Sequence, residues 1–281
     1  MKFRTEIEPL DFPPVGADAR MVLLGSCFAD NIGARLKAQG LDVCHNPMGP
    51  LFNPASIARV VERALDGLPY SADHLVEREG LFHALDWPLR FRGADADALL
   101  GELKRRFEAL RRSIAGADVL FFTFGTAWVY RLVETGEIVG NCHKLAASEF
   151  RRERMSVEQI TAIWQPLLAR LKATGKRVIF TVSPVRHTAD GLHGNNISKA
   201  TLMLAIDALD AEYFPAYEIL CDDLRDYRFY GTDLKHPSDA AVEYIYEKFA
   251  GTFFTPATIE TLRQRRAKIL RDAHRPGNDT L

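Results

Sequence analysis

An apolar run at residues 21–24 leads straight into Gly25, Ser26 and Cys27, and a helical pattern follows with hardly a spacer. A strand that turns this sharply into a helix exposes the residues at the turn. Glycine permits the reversal, and the unpaired N–H groups and dipole of the helix start favour negative charge there. A thiol so placed ionises more readily, and an oxyanion forming on a bound carbonyl finds backbone donors. Cys27 or Ser26 is therefore a candidate nucleophile. The plain alternative is that Ser26 caps the helix and Cys27 is a small packing residue.

Near the other end, Asp233 stands three residues before His236, and Pro237 and Ser238 lead into a second helical pattern. A histidine acting as a base needs a carboxylate to fix its tautomer and to steady its imidazolium form. Asp-x-x-His on a tight loop delivers both groups to one side. Taken alone, the same spacing also describes a turn in which Ser238 caps the helix.

The elements that must position these residues alternate along the chain. Apolar stretches at 21–24, Asp42–His45, Val119–Phe124, Arg177–Val182 and 217–221 read as buried strands. Helical periodicity falls between and after them, at 30–39, 56–65, 99–114, 156–173, 197–211 and 238–253. The alternation predicts an α/β fold: a three-layer α/β/α domain whose parallel sheet of about five strands gathers functional loops at its carboxyl edge. Gly40 and Gly175 stand where helix C-caps are expected.

Two segments break the rhythm: an inserted hairpin at about 74–92, carrying Phe82, His83 and Trp87, and residues 130–139, with a turn at Thr135-Gly136. Such insertions often wall a site. Residues 1–255 read as one domain and 256–281 as a C-terminal helical extension. In the extension six Arg and Lys face three acids, which suits a solvated helix or a homodimer contact.

Composition narrows the classes. Of 281 residues, 47% are hydrophobic and 26% charged, enough apolar material for a sizeable core and unlike disordered or fibrous chains. Lys and Arg total 36 against 37 acids, so the net charge of -1 makes no case for a nucleic-acid or membrane-surface partner. No run approaches the roughly 18 apolar residues of a spanning helix, and the first twenty lack a signal-like apolar core, so a cytoplasmic protein is expected. Four cysteines are too sparse for a disulfide scaffold. With no CxxC, HExxH, GxGxxG or P-loop spacing, neither a metal nor an organic cofactor is expected.

The run Gly25-Ser26-Cys27-Phe28-Ala29 resembles the signature of the GSCFA family, which is similar in turn to the SGNH/GDSL hydrolases. In those enzymes the first block runs strand, Gly-Asp-Ser, helix, with the nucleophile two positions after the glycine. The resemblance puts Cys27, rather than Ser26, at that position. It matches the last block to Asp233, His236 and Pro237, implying His236 as general base and Asp233 as its orienting carboxylate. Gly49 matches the glycine after the second strand, whose N–H would join that of Cys27 in an oxyanion hole.

The third block departs from the pattern. Gly125-Thr126 keep the family's Gly-x, but Ala127 replaces its Asn, so the backbone at Thr126 or the side chain of Asn141 is expected to substitute. His143, beside Asn141, and Arg186, His187, His193 and Asn195, after the fourth strand, are candidate substrate-binding residues. Arg186 would suit a carboxylate or phosphate.

The activity implied is hydrolysis or transfer of a small-molecule or glycan acyl ester through a covalent acyl-enzyme. The competing reading, motivated by Ala127, is a non-catalytic SGNH-like binding or scaffolding protein.

Overall fold

The computed structural model describes residues 4–273. The chain runs β1 (Arg20–Gly25), α1 (Cys27–Ala38), β2 (Asp42–His45), α2 (Pro54–Asp66), β3 (Val76–Arg78), β4 (Leu81–His83) and β5 (Arg92–Gly93). It continues through α3 (Ala96–Gly116), β6 (Val119–Phe124), β7 (Trp128–Leu132), β8 (Ile138–Val139), β9 (Phe150–Arg154), α4 (Val157–Ala173) and β10 (Arg177–Val182). It ends with α5 (Gly191–Ala208), β11 (Glu212–Phe214), a short α6 (Ala216–Glu218), α7 (Asp239–Phe253) and α8 (Pro256–Ala273).

Strands rich in β-branched and aromatic residues and apolar on both faces are suited to the middle of a helix-covered parallel sheet. All six residues of β6 are buried, and β6 lies at the centre of the order β11-β10-β6-β1-β2, in which every pairing is parallel. Alternate residues of the strands face opposite layers. Leu120, Phe122 and Phe124 pack with the helices α2 to α5, whereas Val119 and Phe121 pack with α1 and α7. The result is the expected three-layer α/β/α domain.

In this doubly wound order the chain passes from β1 outward to β2 and then crosses back to β6 on the other side of β1, which opens a crevice at the carboxyl ends of β1 and β6. Gly25 ends β1 opposite Thr123 of β6. Its φ is 137°, and a Cβ there would lie 2.1 Å from the Thr123 carbonyl oxygen. Only glycine lets the chain turn at this point.

One expected strand is a helix. The fifth strand is β11, and residues 217–221 belong to α6 and a following π-helical segment, Ile219–Leu224. A short apolar run does not distinguish the two by its pattern alone. Here Pro215 opens the helix, and burial of Ala216, Ile219, Leu220, Asp223 and Leu224 follows helical spacing.

The insertions form two small antiparallel sheets, β3-β4-β5 and β8-β7-β9. Helix α8 packs back on the domain: Leu262 is buried, and Arg265 donates to the Ala17 carbonyl and pairs with Asp18, both at 2.6 Å. Residues 274–281 of the expected C-terminal extension lie outside the described residues. Among the described residues, no helix is long and apolar enough to cross a membrane.

Candidate active site

Ser26 and Cys27, adjacent in sequence, have different surroundings. Ser26 is buried and is the N-cap of α1: its Oγ accepts the Phe28 N–H at 3.2 Å, and its own N–H donates to the Thr123 carbonyl at 3.1 Å. Asn46 locks the turn by accepting the Gly25 N–H at 2.9 Å and donating Nδ2 to the Ser26 carbonyl at 3.2 Å. Cys27 is the first residue of the helix and partly exposed. Its N–H, the first of the helix, has no carbonyl acceptor among the described residues.

The thiol does not ionise as easily as its helix-start position suggests. Burial raises its pKa first, and the Asp30 carboxylate raises it further; the Cys27 and Phe28 N–H groups and Lys199 pull the other way but do not win. Cys27 at rest is therefore a neutral thiol, and any nucleophilic role needs a base to remove the proton.

Cys27 opens on a cavity of about 370 Å³. Phe52 from the loop after β2, Gly125 after β6, Ser183 and residues 185–189 after β10, and Lys235 and His236 line it with Ser26 and Cys27. His236 Nδ1 donates to Asp233 Oδ2 at 2.6 Å. The other carboxylate oxygen accepts the N–H groups of Lys235 and His236, both at 3.0 Å. These bonds hold the Asp233 carboxyl well below the usual carboxylate range. Nε2 of His236 takes no partner among the described residues.

Sequence reasoning missed Lys199 on α5. It is 1% exposed, and its Nζ donates to the carbonyl oxygens of Gly125 and Ser183, both at 2.7 Å. Burial lowers its pKa to about 7. The only available signal was a lysine among apolar residues in a helical pattern, which more often marks a solvated face. A second His–Asp pair, His45 Nδ1 to Asp30 Oδ1 at 2.9 Å, also escaped notice and stands outside the cavity lining.

The expected oxyanion donors lie elsewhere or are already engaged. The Gly49 N–H donates to the Asn46 carbonyl at 2.7 Å, because the Pro-rich loop closes into a turn there. The Thr126 N–H donates to the Phe52 carbonyl at 3.0 Å, as does that of Gly125 at 2.8 Å. The Ala127 N–H is taken by Ser198 Oγ at 2.8 Å. Asn141 accepts the His143 N–H at 2.8 Å, and the buried His143 sits against His83, Nδ1 to Nδ1 at 3.2 Å. Asn141 and His143 therefore belong to the joint between the small sheets, not to the cavity.

Of the residues expected to bind substrate, Arg186 and His187 line the cavity. Asn195 is buried and supports that loop by accepting the His187 N–H at 2.8 Å, while His193 is exposed and outside the lining. A larger cleft of about 980 Å³ involves Arg4, Glu6 and residues 222–226 but contains neither a cysteine nor a histidine.

A doubly wound α/β domain thus gathers a thiol, a carboxylate-held imidazole and a buried lysine at the carboxyl edge of its sheet. The profile of the GSCFA family matches residues 20–249, and the chain belongs to that family. Among solved structures, it is similar to LAE5, described as an alpha/beta hydrolase enzyme from the metagenome of Lake Arreo, Spain. That match has 10% identity and a TM-score of 0.47, covering 85% of this chain and 96% of the other. It is also similar to a carbohydrate esterase family 3 from Talaromyces cellulolyticus and to an acetyl esterase mutant with acetate ion. Both have 10% identity and a TM-score of 0.37, covering 88% of this chain and 99% of the other. No curated protein matches the sequence.

Proposed function

We propose that the protein cleaves or transfers acyl esters through a thioester on Cys27. The observation that carries this reading is that Cys27, at the start of α1, shares one cavity with His236, whose Nδ1 is tied to Asp233 at 2.6 Å. Ser26 is the less suitable nucleophile because its Oγ is buried and serves the helix cap.

His236 Nε2 takes the proton as the Cys27 sulfur attacks the ester carbon, so the neutral resting thiol is no obstacle. Charge develops on the carbonyl oxygen, where the unspent Cys27 N–H is a donor. The C–O bond then breaks, the alcohol leaves with the proton from His236, and a thioester remains. Water or an acceptor alcohol gives its proton to His236 and attacks the thioester, and the returning proton restores the thiol. Asp233 stays ionised throughout and steadies the imidazolium.

The second reading is a binding protein that has kept the fold without turnover. It is favoured by the spent N–H groups of Gly49 and Thr126, which leave the Cys27 N–H without either partner that the family resemblance implies. The two readings separate when the protein is exposed briefly to an activated acetyl ester and its intact and peptide masses are read. An adduct on Cys27, removed by neutral hydroxylamine and absent in His236→Ala, is the expected result. An adduct on Ser26 would make it a serine esterase, and no adduct in any form would leave the binding protein.

A further inference from the structure

The charged groups around the cavity are unevenly balanced. Its lining contains Arg186, His187, Lys235 and His236 but no Asp or Glu. Arg152, near the same wall, is neutralised by Asp190, with Nη2 2.5 Å from Oδ2, and is stacked over Trp128. Arg186 and Lys235 have no such carboxylate among the described residues. Instead the Arg186 guanidinium lies over the rings of Tyr230, at 4.2 Å, and Tyr227, at 5.3 Å. Stacking fixes its plane and leaves N–H donors for an anion, which a planar fork binds in pairs.

A backbone bond ties the two loops that carry these cations together. The Arg186 N–H donates to the Lys235 carbonyl at 3.0 Å, joining the loop after β10 to the loop that carries His236. His187, also in the lining, has its own N–H fixed by the buried Asn195. These bonds order the backbone of this wall before a ligand arrives, which lowers the cost of binding one.

We propose that the cavity binds an anionic group, a carboxylate or a phosphoryl group, against Arg186, Lys235 and His187. The proposal rests on the acyl-transfer reading only in calling the molecule that carries this group a substrate. An acyl ester so held would present its carbonyl to Cys27 and its charge to the opposite wall, so charged esters would be favoured over neutral ones of the same size.

The electrostatics of His187 provide an independent readout. Burial lowers its pKa first; Lys199, Arg152 and Lys235 lower it further, and Asp190 alone among the neighbouring charges opposes them. An anion seated beside it reverses that balance. His187 then takes up a proton more easily, and by linkage the anion binds more tightly as pH falls through its titration.

The test uses the full chain carrying Cys27→Ala, which cannot form the thioester. Its histidine resonances are followed by NMR against pH with succinate, inorganic phosphate or uncharged succinamide, and His187 is assigned by its loss in His187→Gln. The expected result is that one of the anions raises the His187 midpoint by at least half a pH unit. Succinamide leaves it in place, and Arg186→Gln weakens that anion at least tenfold. A response to succinate alone assigns a carboxylate; a response to phosphate alone assigns a phosphoryl group. No response to either anion, or an equal response in Arg186→Gln, overturns the proposal. Binding without any thioester in the wild type would refute the acyl-transfer reading and leave the subsite standing. A thioester with no anion response would do the reverse.

Discussion

The Lys199 Nζ donates to the Gly125 carbonyl oxygen at 2.7 Å from behind the cavity wall. Its other bond is to the Ser183 carbonyl, so two neutral acceptors and no carboxylate hold a fully buried amine. The cost of burying its charge lowers its pKa to about 7, against 10.5 when exposed. Between those values the unfolded chain holds more protons than the folded one, so stability rises with pH across that window. The slope reaches at most about 1.4 kcal/mol per pH unit. Urea unfolding of wild type and Lys199→Met from pH 7 to 10 should show this rise in their difference, in which the shared cysteines cancel. Parallel stability curves would sink the idea.

Ser26 and Cys27 should separate cleanly on substitution. Removing the cap in Ser26→Ala should cost about 1 kcal/mol of stability, because the Phe28 N–H loses its acceptor. It should leave an acyl adduct on Cys27. Cys27→Ala should change stability less and abolish the adduct. Thermal melts and adduct masses on the same samples decide it; an adduct lost in Ser26→Ala and kept in Cys27→Ala would reverse the assignment.

The ends of the site were more legible than its middle. Gly25 and Cys27, and Asp233 and His236, are placed by local geometry, a tight turn into a helix and a three-residue loop, so their spacing, read with the family resemblance, suggested where they would stand. The parallel sheet was legible for the same reason, since runs such as Val119–Phe124 are apolar but for Thr123. Gly49 and Thr126 were misread because the fate of a backbone N–H depends on tertiary partners: here the carbonyls of Asn46 and Phe52 take them. Asn141 and His143 looked like a polar site in sequence, but two separated insertions bring His83 against His143. Lys199 was invisible because its sealing depends on loops after β6 and β10 that lie far from it in sequence.

The His83–His143 pair should make the protein sensitive to acid. The rings meet Nδ1 to Nδ1 at 3.2 Å, and His143 Nε2 donates to the Trp87 carbonyl at 2.8 Å. Burial lowers both pKa values, so below the ordinary histidine value near 6.5 the unfolded chain takes up protons more readily. Stability should therefore fall as pH drops through 6.5 toward 4.5. Replacing both residues by Phe should flatten that part of the curve in denaturant unfolding. An unchanged acid slope in the double variant would show that other groups carry it.

Asp233 sets what the imidazole of His236 can do. Its two oxygens accept one ring N–H and two backbone N–H groups, and the ring bond fixes the proton on Nδ1, leaving Nε2 able to accept a proton. Asp233→Asn keeps the size of the side chain but can present an N–H to Nδ1, which favours the tautomer that carries its proton on Nε2. That tautomer cannot accept the Cys27 proton. Thioester formation should then slow by roughly a hundredfold or more, within the range assigned to general base catalysis. The carboxyl of Asp233 is held far below neutral, so it does not titrate near working pH. The acid side of the wild-type rate profile should accordingly owe nothing to protonation of Asp233. Stopped-flow acylation with an activated acetyl ester across pH measures both effects. An Asp233→Asn rate within threefold of wild type would remove the carboxylate from the mechanism and leave His236 to act without it.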